Sequence, residues 1–345
     1  MKSKLILAGI VLSIVLFSCQ TPVEKESSPP KPAEKKETDK ASIKLINPLI
    51  ESKGFAQLYF DEVLNLREDL LRIADSTVKS MPGLSFSFYF RDLTNGATIF
   101  YNEKRKYSPA SLMKVPIMMT ALKYEEETGS FLKKKLTYSK EKHGSMTNID
   151  GVSYTDQKQY TVKELIGYMI EYSDNIATLM LLDELEIERV KVAESAMGVI
   201  TRLDQGEMDS IINVRNYANF FRSLYNSSYL KRSNSNLALE FLTKSRFEGG
   251  IRKVVEKQTR VAHKFGQRDI SSQVIKPKDR KTDQLHHVAI VYLEHKPYLL
   301  GIMTKSDKGK AELSSVIEFF ASQVHIRMRN EVRQITRSGI PADQR

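Results

Sequence analysis

Ser111 and Lys114 form the pair of side chains in this sequence that is best suited to catalysis. On a helix, residues three apart lie one turn apart on the same face, so the two side chains would be neighbours. A lysine that is uncharged part of the time can take the hydroxyl proton and make the serine a nucleophile. The Ser-x-x-Lys spacing also occurs elsewhere in the chain, so the spacing alone does not identify a site.

The residues around Ser111 predict a helix that begins just before it and enters the core. Pro109 suits a first helical turn, and Ser108 before it is a candidate N-cap. The apolar run 115–119 is typical of a buried helix. Ser111 would then lie where free backbone N–H groups favour a developing negative charge.

Two short polar motifs follow in the chain, each in a setting that could form the wall of a cleft. Ser-Asp-Asn occupies 173–175, 62 residues after Ser111, at the joint between two predicted helices. Lys-Phe-Gly occupies 264–266, on a predicted strand. With three such motifs in this order, the chain resembles the class A β-lactamases and penicillin-binding proteins, whose signature is S-x-x-K, S-D-N and K-T-G.

This resemblance implies a role for each matching residue. Ser111 would be the acylated nucleophile and Lys114 its proton acceptor. The positive charge of Lys264 would help to keep Lys114 neutral. Ser173 would relay a proton to the leaving nitrogen, and Asn175 would bind the amide side chain of the substrate.

The strand motif would form the opposite wall of the site. Gly266 would let the strand approach the substrate closely, and the backbone N–H groups of Gln267 and Ser111 would form an oxyanion hole. Asp174 is expected to cap a helix instead of taking part in the chemistry. The predicted substrate-binding residues are Asn175, Lys264, Phe265, Gly266, Gln267 and Arg268.

Phe265 is the first departure from the family pattern, because it stands where K-T-G has threonine. In the family, that hydroxyl helps to hold the carboxylate of the substrate. Such a hydrogen bond is typically about 1.5–3 kcal/mol, so affinity for penicillins is expected to fall roughly tenfold to a hundredfold. Arg268, Ser271 and Ser272 are the candidates to compensate.

The base for deacylation is the second departure. Class A enzymes use a glutamate on a loop, and the segment 201–204 followed by Glu207 resembles the start of that loop. The supporting asparagine of the family is Ile211 here, so the loop looks shortened. Two interpretations of Glu207 stay open, a deacylating base and a solvated glutamate in an acidic turn.

The histidines predict no metal site, and no cofactor is expected. His286 and His287 are adjacent, so on a strand they face opposite sides. His263 and the remaining histidines are isolated in the sequence, with no H-E-x-x-H pattern. No motif for binding nucleic acid is present, and the net charge of +11 is consistent with scattered surface lysines.

Hydrophobic periodicity along the chain predicts an α+β (α/β) protein, and the family resemblance implies the β-lactamase/transpeptidase-like fold. Two strands early in the chain and three late ones would form one five-stranded antiparallel sheet flanked by helices. The sheet part covers about 46–110 and 261–326. An inserted all-helical subdomain covers about 111–260, and a basic tail covers 327–345.

The start of the sequence predicts export and a lipid anchor. Residues 1–18 have the plan of a signal peptide, and they end in Leu-Phe-Ser before Cys19, which resembles a lipoprotein box. A Pro/Lys/Glu-rich tether would span 19–45, ahead of a domain at 46–345. Cys19 is the single cysteine, which excludes an intramolecular disulfide.

Three functions are compatible with these observations. The first is a β-lactamase that hydrolyses a β-lactam through an acyl-Ser111 intermediate. The second is a D,D-peptidase or transpeptidase acting on peptidoglycan peptides, and the third is a non-catalytic binding lipoprotein with the same fold. The expected partners are such a substrate and a membrane of the cell envelope, reached through Cys19, and the protein is expected to be a monomer.

Overall fold

The computed structural model describes residues 60–145, 152–204, 207–268 and 282–337. Within these ranges it describes the backbone alone of 60–63, 200–204, 207–210 and 334–337. The chain divides into two units, Met1–Ser42 and Ile43–Arg345, and every described residue belongs to the second. No helix among the described residues is long and apolar enough to cross a bilayer.

A five-stranded antiparallel sheet forms the centre of the fold, as predicted. Its strands are β1 (Ser85–Asp92), β2 (Thr98–Tyr101), β7 (Val261–Arg268), β8 (Asp283–Val291) and β9 (Tyr298–Ser306). They lie in the order β2-β1-β9-β8-β7, which places β7 at one edge. The Lys-Phe-Gly motif on β7 therefore borders the inserted segment of the chain and can reach residues outside the sheet.

Each face of the sheet carries a separate hydrophobic core. Phe86, Phe88 and Phe90 alternate along β1 and are fully buried on one face, where Phe320 of the last helix packs against the first two. The helices on this face are α1 (Phe60–Ser80), α9 (Ile251–Val254) and α10 (Lys310–Arg337). The opposite face packs against the helices between β2 and β7.

The inserted part is mainly helical, but the expectation that it is all helical was wrong. Its helices are α2 (Lys114–Thr128), α3 (Lys140–His143), α4 (Val162–Glu171), α5 (Asn175–Glu184), α6 (Ile187–Ala196), α7 (Val214–Tyr225) and α8 (Arg232–Thr243). Two small antiparallel pairs also lie there, formed by β3 (Lys135–Thr137), β4 (Gln159–Thr161), β5 (Ile200–Asp204) and β6 (Glu207–Ile211). Pairing satisfies the backbone groups of these short extended segments, which carry too little periodicity to be recognised in the sequence.

The ends of the elements follow local signals where such signals exist. Thr161 and Glu164 form a capping box at the start of α4, and the Asn213 side chain caps α7. The last helix continues to Arg337, into the segment expected to be a basic tail, and buries Met328 completely. Its charged residues also contact neighbouring elements, because Arg327 bonds to Asp69 of α1 and Arg329 pairs with Glu256.

Candidate active site

Ser111 lies on a tight turn that leads directly into α2. The residues Ala110–Met113 form one 3-10 turn, and Lys114 is the first residue of the α-helix. Ala110 adopts φ 48°, so the chain changes direction just before the serine. The prediction that Ser108 caps this helix was wrong, because the turn has Pro109 at its N-cap position and no side-chain cap.

Side chains from distant elements hold the turn in place. The Ser108 amide donates to Gln284 Oε1 at 3.0 Å, and His286 Nε2 donates to the Ser108 carbonyl at 2.9 Å. His286 Nδ1 accepts from the Thr304 amide at 3.3 Å, so the ring proton lies on Nε2. On the other side, Tyr217 donates to the carbonyl of Leu112 at 2.8 Å.

Sequence reasoning did not identify Gln284, His286 or Tyr217 as parts of the site. All three side chains are buried. A signal was present for two of them, because Gln284 and His286 are polar and alternate along a strand that is otherwise mostly apolar. Buried polar groups need hydrogen-bond partners. Such a pattern therefore indicates that these side chains form hydrogen bonds with an irregular segment beside the strand.

Lys114 is buried among oxygen acceptors, with 4% of its surface exposed. Its Nζ lies 3.2 Å from Ser111 Oγ and 3.2 Å from Ser173 Oγ. It donates to the carbonyl of Ser173 at 2.5 Å and to Asn175 Oδ1 at 2.8 Å. Burial lowers the pKa of Lys114 to about 7, against the opposing effect of the Asp174 carboxylate.

These contacts orient the amine of Lys114 for proton transfer. A neutral amine has two N–H groups, and the Ser173 carbonyl and Asn175 Oδ1 are acceptors for both. The nitrogen lone pair is then left for the hydroxyl of Ser111. Asn175 therefore acts on Lys114 in this structure, in addition to its predicted contact with substrate.

The loop between α4 and α5 presents Ser173 to both lysines. Ser173 adopts φ 56° and is almost completely buried. Asp174 caps α5 as predicted, because its carboxylate accepts from the Ala177 amide at 2.7 Å. Tyr154 donates to the same Asp174 oxygen at 3.0 Å, which ties the loop to the segment before β4.

Lys264 approaches Ser173 from the edge of the sheet. Its side chain is fully buried, and its Nζ donates to Ser173 Oγ at 2.9 Å and to the carbonyl of Phe265 at 3.2 Å. Burial, and then the nearby Lys114, lower the pKa of Lys264 well below its ordinary value. Ser173 Oγ thus lies between the nitrogens of two buried lysines.

Gly266 brings β7 against the turn that carries the serine. A Cβ at this position would lie 2.7 Å from the Pro109 carbonyl oxygen and 2.8 Å from Leu112 Cγ. The close approach is therefore to the chain on either side of Ser111, whereas we expected an approach to substrate. Gln267 and Arg268, the last residues of β7, follow and are partly exposed.

Phe265 and His263 lie together on the other face of β7. The Phe265 ring stacks on Phe247 with centroids 4.0 Å apart. The expectation that His263 is isolated was wrong, because its Nδ1 lies 2.9 Å from His287 Nε2. That contact depends on the register of β7 against β8, which sequence spacing does not report.

Glu207 begins β6 and is paired with Asp204 of β5, so the predicted loop is a hairpin here. The Glu207 side chain lies outside the described residues, as do Cys19, Ser271 and Ser272. In the described ranges, no three His, Cys, Asp or Glu side chains are grouped as ligands for a metal.

Gly266→Ala is expected to destabilise the protein by about 1–3 kcal/mol, because the added methyl group meets backbone and a packed side chain. Gly167→Ala on α4 is the matched control. Its Cβ would lie 3.5 Å from Phe241, an ordinary contact, and alanine favours a helix by up to about 1 kcal/mol. Denaturant unfolding of both variants measures the difference, and a Gly266 variant as stable as the control would contradict the argument.

Comparisons with known proteins agree with this fold. The solved structure of PBP-A aligns with a TM-score of 0.63 at 18% identity, covering 80% of this chain and 99% of that chain. A PBP-A variant in an acyl-enzyme complex with penicillin G aligns at 0.64, with 20% identity, 77% of this chain and 97% of that chain. A β-lactamase from Xanthomonas campestris aligns at 0.65, with 16% identity, 75% of this chain and 97% of that chain.

These structural likenesses show the fold, since their identities are low. A search of curated proteins gave no significant match. The model of the beta-lactamase enzyme family matches residues 65–327, most of the chain, including all three motifs. This chain therefore belongs to the beta-lactamase enzyme family.

Proposed function

We propose that this protein is a serine hydrolase that opens a β-lactam or a related amide through an acyl-Ser111 intermediate. The observation that carries the proposal is the position of Lys114 Nζ, 3.2 Å from the hydroxyls of both Ser111 and Ser173. The lowered pKa of Lys114 makes its neutral form available near pH 7. A buried amine between two hydroxyls is suited to moving a proton from one to the other.

Acylation then needs no group beyond those described. Ser111 Oγ attacks the carbonyl carbon, and its proton moves to Lys114 Nζ. The backbone N–H groups of Ser111 and Gln267 are the proposed donors to the developing oxyanion. As the carbon–nitrogen bond breaks, Ser173 gives its proton to the leaving nitrogen and regains one from Lys114. Lys264 holds the Ser173 hydroxyl in position for this transfer.

The second step decides between hydrolysis and a lasting acyl-enzyme. A β-lactamase must direct water at the ester, and Glu207 at the start of β6 is the proposed base. The alternative is a D,D-peptidase that β-lactams inhibit, and it applies if Glu207 does not direct water at the ester.

An intact-mass time course with a penicillin tests the proposal. An adduct should form on the wild type and be absent from Ser111→Ala. If the adduct decays, and Glu207→Gln makes it persist, the protein is a β-lactamase with Glu207 as base. A persistent adduct on the wild type supports the peptidase. If neither a penicillin nor a D-Ala-D-Ala peptide acylates Ser111, both substrate classes are excluded, which leaves a hydrolase for another acyl donor or a binding protein.

The acylation rate should rise with pH and level off above about pH 7, because only the neutral amine of Lys114 accepts a proton. Asp174→Asn keeps an oxygen for the α5 cap but removes a charge that favours the ammonium form. The midpoint should therefore move to lower pH, while Asp69→Asn on the surface of α1 should leave it in place. Acylation rates between about pH 5 and about pH 9 measure the midpoint, and a shift to higher pH would contradict this role of Asp174.

We further propose that the protein is exported and anchored to a membrane of the cell envelope by lipid on Cys19. The sequence pattern before Cys19 supports this. In cells, Cys19→Ser should release the protein from the membrane fraction into the soluble fraction without loss of acylation. Equal membrane retention of the wild type and this variant would exclude the anchor.

A further inference from the structure

An aromatic surface borders the site on the side where the leaving group must lie. It consists of Phe265 on β7 and Phe247 in the loop between α8 and α9, whose rings stack at 4.0 Å with an angle of 18° between their planes. We call this pair the aromatic wall. Lys264 Nζ lies 4.3 Å from the centroid of the Phe265 ring and 2.9 Å from Ser173 Oγ. Because Ser173 serves the leaving nitrogen, the wall borders the group attached to that nitrogen.

Buried histidines hold the aromatic wall from behind. The Phe247 ring meets His287 edge to face, with centroids 5.3 Å apart at 73°. His287 Nδ1 accepts from the Ile251 amide at 3.0 Å, so its Nε2 carries the proton and donates to His263 Nδ1 at 2.9 Å. Both histidines are buried. Their hydrogen bonds fix the position of the loop and of Phe247.

The loop itself is shaped to press Phe247 against Phe265. Gly250 adopts φ 57°, and a Cβ there would lie 2.5 Å from His287 Nδ1. A Cβ on Gly249 would lie 2.8 Å from Phe247 Cζ. The two glycines allow the chain to turn tightly over the ring, so the wall exists before substrate binds.

The chemistry of the wall favours an uncharged group. Both rings are apolar and partly buried, so a carboxylate placed against them would lose water without gaining a hydrogen bond, whereas another ring would gain aromatic contacts. Lys264 beside it is fully buried, and burial lowers its pKa well below the ordinary value. The Arg246 guanidinium, next to Phe247 in the chain, stacks over the Tyr172 ring at 4.6 Å.

We propose that Phe247 and Phe265 select acyl donors whose leaving group carries a flat, uncharged, preferably aromatic substituent. This proposal rests on the proposed function and names the substrate class for it. Phe247 is the new specificity-determining residue, since it lies outside the three motifs and stacks on Phe265 beside Lys264. The wall would bind the leaving group equally in the ground state and the transition state. Loss of the wall should therefore change KM more than kcat.

Two thioesters of hippuric acid test the selection, one of benzyl mercaptan and one of mercaptoacetic acid. Ser111 Oγ would attack the carbonyl carbon, the carbon–sulfur bond would break, and the released thiol would take the proton. The two donors share the acyl group and differ only in a benzyl or a carboxymethyl leaving group. Thiol release, corrected for the uncatalysed rate of each donor, gives kcat/KM, and intact mass reports the acyl-enzyme.

The wild type should have a kcat/KM about tenfold higher for the benzyl donor, because the benzyl ring can make aromatic contacts with the wall. Phe247→Leu should lower kcat/KM for the benzyl donor about 3- to 10-fold, mainly through KM, and so reduce the preference for that donor. Phe319→Leu, at an exposed site on α10, is the matched control and should change kcat/KM for neither donor.

Each of the other outcomes would contradict either the selection or the proposed function. Equal loss for both donors in Phe247→Leu would assign this residue a structural role only. Acylation of wild-type Ser111 without preference, or with preference for the carboxymethyl donor, would overturn the selection and leave the proposed function standing. If neither donor, nor a penicillin, acylates Ser111, the proposed function fails and the selection fails with it.

Discussion

The burial of two lysines around one serine hydroxyl is the constraint on which the site depends. Lys114 is 4% exposed and Lys264 is fully buried, and their nitrogens lie 3.2 and 2.9 Å from Ser173 Oγ. Two ammonium groups in so small a buried volume would repel each other and would lose their hydration. Such a cluster is stable when the amines are largely neutral and their N–H groups meet oxygen acceptors. The fold supplies these acceptors from Ser173, Asn175 and Phe265.

Those acceptors and both amines come from three elements that are distant in the chain. Lys114 starts α2, Ser173 lies between α4 and α5, and Lys264 lies on β7 at the edge of the sheet. The chemistry therefore exists only where the sheet and the inserted helices meet. Strand β8, which lies between β9 and β7, contributes to the same junction, because Gln284 and His286 satisfy both backbone groups of Ser108. An irregular segment that is partly buried needs such side-chain partners, since it has no regular backbone pairing of its own.

Phe265 belongs to a matched set of residues and is more than a single departure from the family motif. The hydroxyl of the family threonine is absent, and an aromatic ring occupies that side of the site. Phe247 stacks on this ring, and His287 supports Phe247 from behind. The buried pair of His287 and His263 then completes the polar contacts beneath the wall. Together these contacts replace one hydrogen-bond donor with a rigid apolar surface.

Local patterns were sufficient to predict the sheet, most of the helices and the three motifs in their order. The alternating phenylalanines of β1 and the capping box of α4 are examples, because periodicity and capping report the surroundings of one element at a time. The family resemblance then indicated Ser111, Lys114, Ser173 and Lys264, and these four side chains do lie together.

Contacts between elements could not be read from the same patterns. The partners of Ser108, the pairing of His263 with His287 and the stacking of Phe247 on Phe265 join residues far apart in the chain. The hairpin of β5 and β6 likewise replaced an expected loop. Such contacts depend on strand register and on how helices pack against the sheet, which no local spacing encodes. The sequence therefore identifies the groups that can react, whereas the packed fold sets their protonation, their orientation and the surface that a substrate meets.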